Sequence, residues 1–198
     1  MSMALSAVIG YLIGSLPTAN SLARLAGVDL RSAGSKNPGA NNARRLGGYR
    51  LAAVVLAVEV GKGTLAVVIG SSLAGDQGMA AGGIAAVVGN VFNVWYRLRG
   101  GKGLGITLGV LIAAWPVVVL PALVLIGAVV YFTKSTGIAA LTTMTALVVA
   151  LLLVSEPALN SPWGVADAGI LLWLVGGMSI VLVPKHLLDA ISSRRVPA

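Results

Sequence analysis

Seven apolar stretches recur along this chain, at about 3–26, 50–73, 79–96, 104–119, 121–133, 137–154 and 166–184. A helix needs about 20 mostly apolar residues to cross the hydrocarbon core of a bilayer, so the pattern points to a bundle of membrane helices. The fourth and fifth stretches are short and flanked by Pro116 and Pro121, which fits a tight hairpin, a re-entrant pair or one kinked helix. Charged residues make up 10% of the 198 residues, against roughly 25% in soluble domains. A disordered chain, a coiled coil and an ordinary soluble enzyme are thereby excluded. Cysteine is absent and there is one histidine, so disulfides and the usual Cys- or multi-His metal sites are excluded too. The first stretch resembles a signal peptide, but no small-residue cleavage site precedes a soluble domain, and a retained helix is expected. The expected fold is all-α: a polytopic integral membrane bundle of about seven transmembrane helices forming a single membrane domain over 1–198.

The formal net charge is nevertheless +8, from 14 Lys+Arg against 6 Asp+Glu. Its placement is informative. Arg24, Arg31, Lys36, Arg44, Arg45 and Arg50 flank or occupy the first gap between apolar stretches. Arg97, Arg99 and Lys102 follow the third stretch, Lys134 the fifth, and Lys185, Arg194 and Arg195 the seventh. The alternate gaps hold Asp76, Glu156 and nearby Asp167 and no cation. Every cation but Lys62 therefore falls on one side of the weave, and an excess of Lys and Arg in short loops marks the cytoplasmic side. The N-terminus is expected outside and the C-terminus inside, with cytoplasmic segments at about 28–48, 97–104 and 184–195. A five-helix count leaves the same segments inside. The cations are divided among short loops without a recognition helix, so nucleic acid is not an expected partner; attraction to anionic headgroups is the plain alternative for any one arginine.

The first basic segment runs from Val28 to Gly47 and contains Ser35-Lys36-Asn37-Pro38-Gly39 followed by Asn41-Asn42 and Arg44-Arg45. Asn37 suits an N-cap, Pro38 the first helical position and Gly47 a C-terminal stop, which predicts a short interfacial helix over about 38–46. Its start would offer free N–H groups beside Ser35 and Lys36, an anion site, to which the arginines add charge-assisted bonds; a capped linker helix anchored to headgroups is the competing reading. The second segment, Arg97-Leu-Arg-Gly100-Gly101-Lys102-Gly103, leads straight into an apolar stretch. Its glycines would let backbone N–H groups approach a phosphate closely, and the helix start adds a positive dipole end. It is not a Walker A loop, because Tyr96 stands where glycine is required and Gly103 where Ser or Thr is. A flexible basic turn is the alternative.

Glu59 and Lys62 sit three residues apart inside the second apolar stretch, hence on one helical face. Ionisable groups inside a membrane segment are costly and normally face the protein interior, paired or functional. Gly61 and Gly63 flank the lysine and suggest close backbone packing. His186, just past the seventh stretch, is the side chain whose ordinary pKa suits proton transfer near neutrality.

Taken in order, these segments resemble the bacterial membrane glycerol-3-phosphate acyltransferases that use acyl phosphate as donor, the PlsY family. The resemblance rests on Gly14-Ser-Leu-Pro-Thr18, on Leu30-Arg-Ser-Ala-Gly-Ser-Lys-Asn-Pro-Gly-Ala-Asn-Asn42 with Arg45, on Lys62-Gly-Thr64, on Gly89-Asn-Val-Phe92 with Gly100-Gly-Lys-Gly103, and on Lys185-His186. It implies seven helices with the motifs on the cytoplasmic face of the bacterial plasma membrane. It also implies acyl transfer from acyl phosphate to the 1-hydroxyl of sn-glycerol 3-phosphate, giving lysophosphatidic acid and phosphate, without a metal or cofactor. Carried over by motif, Ser35, Arg45, Lys102 and His186 are the implied catalytic residues. Lys36, Asn37, Gly39, Asn42, Lys62, Gly100, Gly101 and Gly103 are the implied phosphate-binding ones. An acyl phosphate is already activated, so no Ser or Cys nucleophile is required; His186 or the departing phosphate takes the hydroxyl proton. The CoA-dependent acyltransferases with H-x4-D are excluded, because Ile191 stands at the fifth position after His186.

Several positions depart from the family pattern. Asn41 replaces a threonine, Glu59 an aspartate, Asn90 a histidine and Asn93 a proline, while Leu187 and Asp189 replace a basic residue and an asparagine. A paralogue that binds or moves phosphorylated lipid or glycerol phosphate without catalysis is the alternative function. It would use the same anion sites without a proton acceptor.

Overall fold

The computed structural model describes residues 2–153 and 163–193. Among them every regular element is helical: α1 (Ser2–Ser15), α2 (Thr18–Leu25), α3 (Ala40–Val91), α4 (Leu104–Ala114), α5 (Val119–Thr133), α6 (Thr136–Leu153) and α7 (Ala168–Ser193), with 3-10 turns at Val94–Tyr96 and Pro116–Val118. Among the described residues five stretches are long and apolar enough to cross a membrane: Ser2–Leu25, Ala40–Tyr96, Pro116–Thr133, Thr136–Leu153 and Ala168–Leu188. α4 is apolar but shorter. The chain forms two compact units, Met1–Val110 and Leu111–Ala198.

In the first unit, breaks fall where the backbone demands them. The first apolar stretch, expected as one helix, is divided at Leu16-Pro17 into α1 and α2, because proline has no N–H to continue the ladder. α3 is three legs rather than one rod: Gly48 takes φ 79°, and Ala74-Gly75 leave helical geometry, Gly75 at φ 56°. The expected short helix therefore occupies 40–47 and stops one residue later than anticipated. Its start is shifted too. Gly39, extended at φ −133° and ψ 167°, precedes the first helical residue. Gly39 N donates to the Asn37 carbonyl at 2.9 Å, a tight turn over Pro38 that keeps Asn37 and Pro38 outside the helix.

The legs 49–73 and 76–91 fold on each other as an antiparallel hairpin. A side chain at Gly78 would collide with the Gly70 carbonyl, and one at Gly82 would stand 2.7 Å from that of Ala66. α1 runs parallel to 76–91 through Gly10 and Gly14, whose backbones lie directly on Gly82 and Ala86. Small residues four apart are what allow membrane helices this approach, since lipid supplies no hydrophobic drive between them. The start of α4 lies along 49–73 in the same way: Gly63 meets Ile106 and Val110, and Gly109 meets Val60. Gly61, by contrast, faces open space. These directions gather the end of α1, the end of 76–91 and the start of α4 at one end of the unit.

In the second unit α6 packs against both α5 and α7. Pro116 opens the 3-10 turn that separates α4 from α5, whereas Pro121 sits in the first turn of α5, where a missing N–H costs nothing. The two short stretches are thus separate helices. Trp163 Nε1 donates to the Ile112 carbonyl at 2.9 Å, and Val165 N donates to that of Ala114 at 2.9 Å. α7 continues through Pro184 to Ser193, so His186 is a helical residue and not part of a loop. Glu156, Arg194, Arg195 and the side chain of Asp189 lie outside the described residues.

Candidate active-site cleft

The first basic segment is held in place by a buried asparagine at each side. Asn20 of α2 accepts Leu30 N at 2.9 Å, and Leu30 is buried with Ala19, Ala23, Ala43, Leu51 and Val55. Asn42, on the 40–47 leg, accepts Ser35 N at 2.9 Å and donates to the carbonyls of Leu30 and Ala33 at 2.9 and 3.1 Å. Its oxygen lies so close over Gly34 that any side chain there would strike it. Gly34 and Lys36 both take positive φ, 60° and 56°. Ser35, Lys36, Arg44 and Arg45 are presented on the exposed surface of this segment.

The second segment is sewn to the end of 76–91. Gly100 N donates to the Val91 carbonyl and Gly101 N to the Asn90 carbonyl, both at 2.9 Å. A side chain at Gly100 would collide with that Asn90 carbonyl. The glycine N–H groups expected to cradle phosphate at 100 and 101 are therefore already bonded; these two glycines supply close approach instead. The start of α4 behind Gly103, whose φ is 80°, supplies the free N–H groups, with half-buried Lys102 beside it. Asn93 Nδ2 donates to the Ser15 carbonyl at 2.6 Å, and Asn93 Oδ1 accepts Trp95 N at 3.0 Å, which caps the turn before the segment.

Arg31 clasps the two segments together. Its guanidinium lies 3.9 Å from the Tyr96 ring centroid and donates through Nη1 to the Arg99 carbonyl at 2.9 Å. Arg31 N donates to Asp29 Oδ1 at 2.9 Å, and Asp29 Oδ2 accepts from Arg24 at 2.7 and 3.2 Å. The Arg24 hydrogen bond, seconded by the Arg31 N–H, holds the Asp29 carboxyl below the usual carboxylate range.

Beneath the clasp lies a cleft lined by the break between α1 and α2, by α2, by both segments and by α3. Its charged wall is the pair anticipated from sequence. Lys62 Nζ donates to Glu59 Oε1 at 2.9 Å and to the Leu16 carbonyl at 3.0 Å, with the two residues 6% and 7% exposed. Pro17 leaves that carbonyl available by breaking the helix. Asn90 Nδ2 donates to Glu59 Oε2 at 2.5 Å, and Thr18 Oγ1 reaches Oε1 at 3.5 Å. Lys62, Gly101, Pro38, Asn20, Asn90, Asn93 and Tyr96 all reach the cleft.

Of the residues singled out from sequence, Glu59, Lys62 and Gly101 line the cleft, while Gly100, Lys102 and Gly103 adjoin it in the second segment. Asn37 and Gly39 flank Pro38 at its edge; Ser35, Lys36 and Arg45 stand on the exposed segment, and Asn42 beneath it. His186 is fully buried on α7 of the second unit, where its carbonyl lies against Gly137. Sequence reasoning missed Asn20 and Tyr96. The available signal was an amide among the apolar residues of α2 and an aromatic next to a basic glycine run.

A family model for glycerol-3-phosphate acyltransferase matches residues 4–191. The chain is 39% identical over 150 residues to the glycerol-3-phosphate acyltransferase of Agrobacterium fabrum (strain C58), across 75% of this chain and 73% of that protein. Its fold is similar to the crystal structure of PlsY (YgiH), an integral membrane glycerol 3-phosphate acyltransferase. The glycerol 3-phosphate form gives a TM-score of 0.76 at 24% identity, over 100% of this chain and 96% of that one. The lysphosphatidic acid form gives 0.77 at 23% identity, over 98% and 94%.

Proposed function

This chain belongs to the glycerol-3-phosphate acyltransferase family, and we propose that it transfers a fatty acyl group from acyl phosphate to the 1-hydroxyl of sn-glycerol 3-phosphate. The observation that carries the assignment of the site is buried Lys62, salt-bridged to Glu59, at the wall of a polar cleft beneath both basic segments. Both substrates are phosphates. Lys62, Lys102, the exposed cations Lys36 and Arg45, and the N–H groups at the start of α4 supply the positive field they need. Asn37, Gly39 and Gly103 shape the rim. Asn42, Gly100 and Gly101 act by fixing the two segments, because their hydrogen-bonding groups are engaged within them.

In the reaction the glycerol hydroxyl oxygen attacks the acyl carbonyl carbon, the bond to the phosphate oxygen breaks, and inorganic phosphate departs with the electron pair. The hydroxyl proton passes to His186 or to the departing phosphate, and Ser35 orients the hydroxyl. Proximity and electrostatic stabilisation lower the barrier, since the leaving group is already good. In a bacterial plasma membrane the chain crosses seven times, with α4 as the short span and α3 contributing two. The N-terminus is outside and the cleft opens to the cytoplasm, the side marked by the basic segments.

The test is the folded protein in detergent with palmitoyl phosphate and labelled glycerol 3-phosphate. Lysophosphatidate must form, and Lys102→Ala and Arg45→Ala must lose turnover while remaining folded. Protein that binds glycerol 3-phosphate but makes no product would belong to the non-catalytic paralogue instead. His186→Ala with near-normal turnover would assign the proton to the departing phosphate.

A further inference from the structure

Asn90 touches both halves of the cleft. Its side-chain amide donates to Glu59 Oε2 at 2.5 Å, and Glu59 Oε1 in turn holds Lys62 Nζ at 2.9 Å. Its peptide carbonyl accepts Gly101 N at 2.9 Å, next to Lys102. One buried residue thus fixes the counter-ion of one cation and the backbone that carries the other. We propose that Asn90 is a positioning residue, which ties the Glu59–Lys62 pair of the cleft wall to the backbone of the second basic segment at Gly101. This rests on the acyltransferase reading of the cleft.

An amide donates to the Glu59 carboxyl while bringing no negative charge of its own beside it. The titratable groups lining the cleft are Glu59 and Lys62 on the 49–73 leg and Tyr96 on the turn before the second segment. The break between α1 and α2, α2 itself and the first segment contribute Leu16, Pro17, Ala19, Asn20 and Pro38, and the end of 76–91 contributes Asn90, none of which ionises. Replacing the amide by a carboxyl would set two carboxylates side by side, which cannot both ionise near neutrality and would share a proton.

The experiment measures kcat and KM for glycerol 3-phosphate between pH 6 and 9 in wild-type protein, Asn90→Asp, Asn90→Gln and Asn90→Leu. Each variant is expressed as a ratio to wild type at the same pH, so that ionisation of the substrate cancels. For Asn90→Asp the ratio of kcat/KM should fall about tenfold or more between pH 6 and 9, through KM, as the shared proton leaves and a second negative charge opposes the phosphate. Asn90→Leu should raise KM about tenfold at every pH, whereas Asn90→Gln should stay within about threefold of wild type. A folded Asn90→Asp whose KM equals that of wild type throughout this pH range overturns the proposal. If that variant does not fold, Asn90→Leu with a wild-type KM overturns it. Wild-type turnover is read first and separately; its absence refutes the acyltransferase reading rather than the role of Asn90.

Discussion

Asn42 Oδ1 accepts the backbone N–H of Ser35 at 2.9 Å, across seven residues of the first basic segment. The two amide hydrogens of Asn42 go to the Leu30 and Ala33 carbonyls, so one buried side chain holds three backbone groups. Asn42→Leu would leave all three without that partner, at about 1–3 kcal/mol for each that water cannot reach. A clear drop in the thermal unfolding midpoint in detergent is expected, with loss of acyl transfer. Asn42→Asp should do no better, because a carboxylate cannot donate to two carbonyls. A stable, fully active Asn42→Leu would show that the segment holds itself.

Gly100 and Gly101 separate space from hydrogen bonding. An added methyl at Gly100 collides with the Asn90 carbonyl, while at Gly101 it stands 3.0 Å from Asn90 Oδ1, a side-chain atom with some freedom to yield. Gly100→Ala should therefore unfold the segment and abolish turnover, and Gly101→Ala should reduce activity while leaving the unfolding midpoint nearly unchanged. Equal damage at both sites would show that the clearance over Asn90 does not distinguish them.

Gly61 and Gly63 read alike in the sequence and differ in the fold. A side chain at Gly63 would meet the backbone of α4, and one at Gly61 would meet nothing within 4 Å. Gly61→Ala should stabilise the helix by about 0.5–1 kcal/mol, and Gly63→Ala should destabilise it by more than that, measured by thermal unfolding of each variant beside wild type.

That contrast illustrates what the sequence could convey. Apolar runs and the segregation of cations located the helices and basic segments, because membrane insertion acts on local composition. The pairing of Glu59 with Lys62 was legible for the same reason: helical spacing is local. Whether a glycine N–H is free is decided by what lies opposite it. The Asn90 and Val91 carbonyls that occupy Gly101 and Gly100 are about ten residues away, and no local rule points to them. Asn20 reached the cleft only because the Pro17 break redirects α2.

The Glu59–Lys62 pair should behave as a coupled unit. Removing one partner of a buried pair strands the other charge, typically at about 3–5 kcal/mol, whereas removing both is often tolerated. Lys62→Met and Glu59→Gln should each destabilise strongly, and the double variant should recover much of that stability without recovering turnover, since the phosphate cation is gone. Additive losses in unfolding free energy would show that the pair is not coupled.

Asp29 gives a pH dependence of defined sign. Its folded-state pKa is depressed, first by the Arg24 hydrogen bond and then by the Arg31 N–H, so its stabilisation is present above the ordinary carboxylate range and is lost as pH falls through the depressed value. Arg31 also spans to Tyr96 and Arg99, so protonation of Asp29 should loosen the clasp over the cleft. Hydrogen exchange across 28–39, corrected for intrinsic rates, should stay slow down to about pH 4, near the ordinary aspartate pKa, and accelerate below it. Asp29→Asn cannot titrate and should show no such acid-dependent step; a step that survives the substitution would place the responsible group elsewhere.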